Sequence, residues 1–133
     1  MPDRSSLQSL AGAALRFVSG AMFACHGAQK VLGWFTERPR LAVGSQLWIG
    51  GMIELVCGAL IAIGLFTRPA ALIASGTMAV AYFQFEWKMR TANLMFLPIN
   101  NGGELAVLYC FVFLVFALSG AGAFSFDRRR GRL

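Results

Sequence analysis

The chain has 133 residues, of which 57% are hydrophobic and 14% charged, with mean hydropathy +0.63 and a net charge of +6. Soluble domains are about 45–50% apolar, and so few charges cannot cover the surface of one this size. The composition therefore excludes an ordinary soluble domain and indicates one integral membrane domain lying almost wholly in the lipid bilayer. An isoelectric point of about 10.1 does not signal nucleic acid here. The basic residues sit between apolar runs and in the tail, where headgroups and topology account for them.

About 20 apolar residues at 1.5 Å each cross a bilayer core, and four stretches qualify. The first predicted span covers about residues 10–32. Arg4 precedes it as in a signal peptide, yet Arg16 interrupts the run and Met22-Phe23-Ala24-Cys25 is a poor lipoprotein cleavage site, so an uncleaved span is expected. On this helix Arg16, Gly20, Phe23, Gly27 and Lys30 share one face, with His26 beside it. The second span covers about 46–66 and carries Glu54 near its middle, on a stripe Gly50, Glu54, Gly58. The third, about 69–85, follows Thr67-Arg68-Pro69, where proline suits a helix start. The fourth, about 104–120, follows the turn signal Asn100-Asn101-Gly102-Gly103. Segments 34–45 and 86–103 read as loops, and 127–133 as a basic tail. The expected fold is all-α, a membrane-spanning antiparallel four-helix bundle.

With four spans both termini share a side. The continuous arginines Arg128, Arg129, Arg130 and Arg132 place that side in the cytoplasm, against Arg38, Arg40, Lys88 and Arg90 opposite. Trp34, Trp48 and Trp87 then lie near the outer interface as aromatic anchors. The tail run itself reads as a topology determinant held at anionic headgroups. Gly20, Gly27, Gly50 and Gly58 read as helix-packing positions. The cysteines Cys25, Cys57 and Cys110 lie in apolar runs without a C-x-x-C, so they read as buried thiols.

Glu54 is the costly residue: a mid-bilayer carboxylate costs roughly 2.5–3.5 kcal/mol on insertion scales. Counting from span ends puts Glu54 within about 3 Å of the midplane, His26 about 6 Å and Lys30 about 12 Å outward, and Arg16 about 9 Å inward. His26 is thus the nearest expected partner, then Lys30, with Arg16 having to stretch. Glu104 opens the fourth helix on the outer side, where the helix dipole favours a carboxylate. Gln84, Asn101 and Glu104 join His26, Lys30 and Glu54 in the outer half, while Arg16 and Asp127 lie inward. The asymmetry predicts a polar cavity opening outward. An ion pair that only fixes helix register competes with that reading. With one histidine no metal site is expected, and no serine stands near His26 for hydrolase chemistry.

Ordered segments then carry a resemblance. They are Leu15-Arg16 followed by Gly20; Gly27-Ala28-Gln29-Lys30; Gly51-Met52-Ile53-Glu54; Gly64-Leu65-Phe66-Thr67-Arg68-Pro69; Asn101-Gly102-Gly103-Glu104; and Gly120 through Asp127. Together these resemble the DoxX family of small four-helix membrane proteins, over about residues 12–128. The resemblance implies a redox setting. Relatives include the membrane subunit of a thiosulfate:quinone oxidoreductase and members linked to thiol-stress complexes, while animal relatives act as assembly factors. It marks Arg16, Lys30, Glu54 and Glu104 as the patterned polar positions.

The sequence shows no haem, flavin or dithiol motif. The expected function is a membrane subunit of a quinone- or thiol-linked redox complex, with a soluble redox partner or a homo-oligomer. A quinone is the possible cofactor, with Glu54 and His26 handling protons. A scaffold without catalysis and a small proton-coupled transporter are the alternatives.

Overall fold

The computed structural model describes residues 1–88 and 94–131, and all regular structure among them is helical. Arg90 and Arg132, used in the topology argument, lie outside the described residues. The order is α1 (Arg4–Leu32), α2 (Gln46–Ile63), α3 (Thr67–Ala81), a π-helical turn (Tyr82–Trp87), α4 (Pro98–Asn101), α5 (Glu104–Ser119) and α6 (Phe126–Arg129).

Local chemistry sets the ends. Asp3 caps α1 by accepting from the Ser6 N–H at 2.8 Å, and Ser45 caps α2 by accepting from Trp48 N–H at 3.2 Å. Gly33 and Gly64 close α1 and α2 in left-handed conformation, at φ 69° and 73°. The predicted spans correspond to these helices with shifted ends. The first begins six residues earlier, at Arg4 rather than residue 10. The second stops at Ile63, because Gly64 turns the chain before residue 66. The third starts at Thr67 and runs on through the π turn to Trp87, so the segment read as a loop from 86 is helical at its start and holds α4 near its end.

α1 and α2 pack antiparallel, because ascending positions on one meet descending positions on the other. A Cβ at Gly20 would stand 2.5 Å from the Ala62 nitrogen, and one at Gly27 would stand 2.5 Å from the Gly51 carbonyl oxygen. Gly58 faces Ala24 and Gly20 as closely. Only hydrogen fits between backbones at this separation. The predicted stripe needs one correction: Gly51, not Gly50, faces α1, while Gly50 has open space around it. At 3.6 residues per turn, steps of four drift around the helix twice as far as one step of seven. Gly51 and Gly58 therefore share the contact line, and Gly50 has rotated off it.

α3 and α5 also run antiparallel: Ser75 Oγ donates to the Cys110 carbonyl at 2.8 Å, and Arg68 to the Leu118 carbonyl at 2.9 Å. The core between the helix pairs is aromatic. Phe23 meets Tyr109 and Phe113 at ring-centroid distances of 5.3 and 4.8 Å, over Ile61, Ala71 and Met78. The outward faces are apolar too, with Phe17, Val56, Leu72, Phe111 and Leu118 exposed. Among the described residues two helices, α1 and α2, are long and apolar enough to cross a membrane, and α5 is apolar but shorter at 16 residues. Cys57 is buried, but Cys25 is exposed on the outer side of α1, against the expectation that all three thiols are buried.

Candidate functional site

A cavity of about 220 Å³ opens between α1, α2, α3, the π turn and α5. Glu54 reaches it from α2, Lys30 and His26 from α1, Tyr109 from α5 and Glu86 from the π turn. Glu54 is 3% exposed. The Lys30 ammonium donates to its Oε1 at 2.6 Å. Lys30, not His26, is therefore the partner. From one turn farther along α1 a four-carbon stem reaches back, while the short imidazole turns toward Tyr109, ring centroids 6.3 Å apart. Lys30 keeps about a third of its side chain exposed, so the pair joins a buried carboxylate to an ammonium near solvent.

Two chamber atoms have no hydrogen-bond partner among the described residues: Oε2 of Glu54 and the hydroxyl of Tyr109. Tyr109 is 6% exposed. A buried polar atom without a partner costs roughly 1–3 kcal/mol, so an acceptor and a hydroxyl left together at one cavity mark it as the candidate site.

Not every expected outer-half residue arrives. Glu104 is exposed in the first turn of α5 and does not line the chamber. Gln84 is exposed and pairs with Gln46 across the surface. Asn101 is spent on structure: it donates to the Met95 carbonyl at 2.8 Å and to the Tyr82 hydroxyl at 3.1 Å, and accepts from Gly103 N–H at 2.8 Å. Glu86 and Tyr109 complete the chamber instead. Tyr109 gave no signal in sequence, because an aromatic in an apolar span reads as core. Among the described residues no three His, Cys, Asp or Glu side chains gather as metal ligands.

At the opposite end, Arg16 is 2% exposed, and its guanidinium donates to the carbonyls of Ala121, Ala123 and Phe124, the last two at 2.9 and 2.8 Å. It serves the C-terminal segment and does not reach Glu54. Asp127, expected in the inner half at the head of the basic tail, is buried and accepts from the Phe66 and Thr67 N–H groups at 2.8 Å each. The first donors of α3 have no partner inside the helix, and this carboxylate supplies one from across the chain.

The family profile DoxX matches residues 11–87, which carry Arg16, His26, Lys30 and Glu54. An uncharacterized protein of Haemophilus influenzae is 45% identical over 122 residues, covering 86% of this chain and 87% of its own. No solved structure matches.

Proposed function

The chain belongs to the DoxX family, a membrane-associated family, and from that premise we propose that it is the membrane subunit of a redox complex whose Glu54 chamber takes a quinone headgroup. In this reading the helices form an antiparallel four-helix bundle across the bacterial cytoplasmic membrane. α3 with its π turn and α5 are the third and fourth spans, and both termini are cytoplasmic. The outward leucines and phenylalanines support it, since a soluble monomer rarely exposes so continuous an apolar surface.

The observation that carries the proposal is the juxtaposition of Glu54 Oε2 and the Tyr109 hydroxyl at one buried cavity. A void of about 150 Å³ accepts a benzene ring, so 220 Å³ suits one substituted ring. The aromatic walls, Phe23 and Tyr109, offer π faces. A bound quinone supplies two-electron, two-proton carriage. The chain's part is narrower. Tyr109 donates to a ring oxygen. As the quinol form is oxidised, Glu54 accepts its hydroxyl proton at Oε2, and Lys30 on Oε1 holds the carboxylate in orientation. His26 stands at the junction of this chamber and a larger polar recess lined by Thr36 and Arg38, a position suited to passing that proton outward. The electrons need a partner, and a soluble redox protein docking on the assembled subunit, or on a homo-oligomer, is part of the proposal.

A scaffold role is the second reading, favoured by the Lys30–Glu54 pair and the glycine contacts, which by themselves fix helix register. Titrating decylubiquinol, the reduced form whose hydroxyl donates to Oε2, into purified protein in nanodiscs separates the two. Saturable binding that weakens roughly tenfold or more in Glu54→Gln, where a donor replaces the acceptor, supports the quinone reading. Absence of saturable binding overturns it.

A further inference from the structure

The C-terminal segment is built differently from a loose basic tail. Arg16 donates to the carbonyls of Ala121, Ala123 and Phe124, and Ser125 Oγ caps α6 by accepting from Arg128 N–H at 3.2 Å. The Asp127 backbone N–H donates to the Gly64 carbonyl at 2.8 Å. Asp127 is the segment's one acidic residue, and it is turned inward onto the start of α3. With the carboxylate withdrawn, the outer surface of the segment carries Arg128, Arg129 and Arg130, all exposed. Beside them Phe124 is 77% exposed, with φ +51° swinging its ring outward, and Phe126 is 48% exposed. Arg129 lies over the Phe126 ring, 6.0 Å from its centroid. A recess of about 340 Å³ opens between Phe124, Ser125, Arg128 and Arg129.

We infer that this segment is a binding site for an anionic phospholipid of the surrounding leaflet. Phe124 and Phe126 insert at the acyl boundary, while Arg128 and Arg129 take the lipid phosphate. The inference rests on the membrane reading but not on the quinone. Charge complementarity selects the occupant: two arginines pair well with phosphate oxygens, and among the described residues no carboxylate lines the recess. The outward phenylalanines select a lipid over a free anion.

The test uses the full-length protein in detergent micelles, titrated with phosphatidylglycerol and separately with phosphatidylcholine, with bound lipid counted by native mass spectrometry. Phosphatidylglycerol should bind the wild type more tightly. The double variant Arg128→Gln/Arg129→Gln should weaken it on the order of thirtyfold, roughly 1 kcal/mol for each arginine. Removing the same charge from the opposite loop, in Arg38→Gln/Arg40→Gln, should leave it unchanged. Equal binding of both lipids, equal loss from both double variants, or complete displacement by inorganic phosphate would overturn the inference. If the protein stays dispersed without detergent, the membrane premise itself fails, and that result is distinct from these.

Discussion

The Lys30 ammonium sits 2.6 Å from Oε1 of Glu54, while Oε2 of the same carboxylate has no hydrogen-bond partner among the described residues. One oxygen is spent on the ion pair and the other is buried without a hydrogen bond among the described residues. The two ends of the pair therefore differ in what their removal costs. Lys30→Met strands a buried carboxylate, and breaking a buried pair this way costs about 3–5 kcal/mol. The low end applies, since Lys30 is a third exposed. Glu54→Gln leaves an ammonium that can turn to solvent and should cost less. The double variant Lys30→Met/Glu54→Leu should recover most of the loss. Thermal unfolding in detergent reads all three, and equal losses from both single variants would contradict the asymmetry.

The glycine contacts make a sharper contrast. Ala at Gly27 or Gly58 drives a methyl into the facing backbone, which has no side chain to move aside. Overpacking of this kind costs about 1–3 kcal/mol. Gly50→Ala meets nothing and should stay within about 0.5 kcal/mol of wild type or gain from helix propensity. A large loss at Gly50 would mean that its outward face meets a second copy of the chain.

Much of this was legible in sequence, and the rest failed for identifiable reasons. Hydropathy and the i, i+4, i+7 pattern found every long helix and the Arg16–Lys30 face, because burial of one helical stripe is written in the spacing. Depth counting finds the neighbourhood of Glu54 and ranks His26 ahead of Lys30, because rise per residue alone does not weigh side-chain reach. The Gly50 assignment failed through rotational drift. The sequence puts Asp127 on the inner side but does not name its partners, the Phe66 and Thr67 amides, which are some sixty residues away. No local pattern records such a closure. Tyr109 was missed because its role depends on an unpartnered hydroxyl, not on its residue type.

Asp127→Ala removes a carboxylate that serves two amides at the start of α3, that of Thr67 buried and that of Phe66 part-buried. Losing a helix cap costs about 0.5–2 kcal/mol, and stranding buried donors adds roughly 1–3 kcal/mol. A loss of about 2–4 kcal/mol is expected, with the 120–131 segment released. Asp127→Asn keeps one acceptor and should fall between. Protease cleavage within the segment, compared across the three proteins, checks the order.

The amino-terminal cap supplies a pH dependence. The Asp3 carboxyl lies below its ordinary value of 3.8, because the Ser6 hydroxyl, the Ser6 N–H and the Ser5 hydroxyl donate to it. A depressed folded-state value means that Asp3 supports the first turn of α1 above the unfolded pKa, and that this support is lost as pH falls through the folded value. Amide exchange at Ser6 should therefore accelerate below the ordinary carboxylate range. Asp3→Asn, which does not titrate, should show no such step.

Tyr109→Phe separates a ligand chamber from a structural core. The hydroxyl is buried with no partner among the described residues, so deleting it removes a desolvated group and leaves the stacked rings of Tyr109 and Phe113 in place, 5.4 Å apart. The fold should be unharmed or gain up to about 1–3 kcal/mol, the usual cost of an unsatisfied buried group. Quinone affinity should fall roughly three- to tenfold, the loss of one neutral hydrogen bond worth about 0.5–1.5 kcal/mol. Opposite signs in the melting temperature and the dissociation constant are the signature of a group kept for binding at a cost to stability. A variant less stable than wild type would show that the hydroxyl holds the core together. Unchanged quinone affinity would remove Tyr109 from the proposed site, leaving Glu54 as its one polar contact.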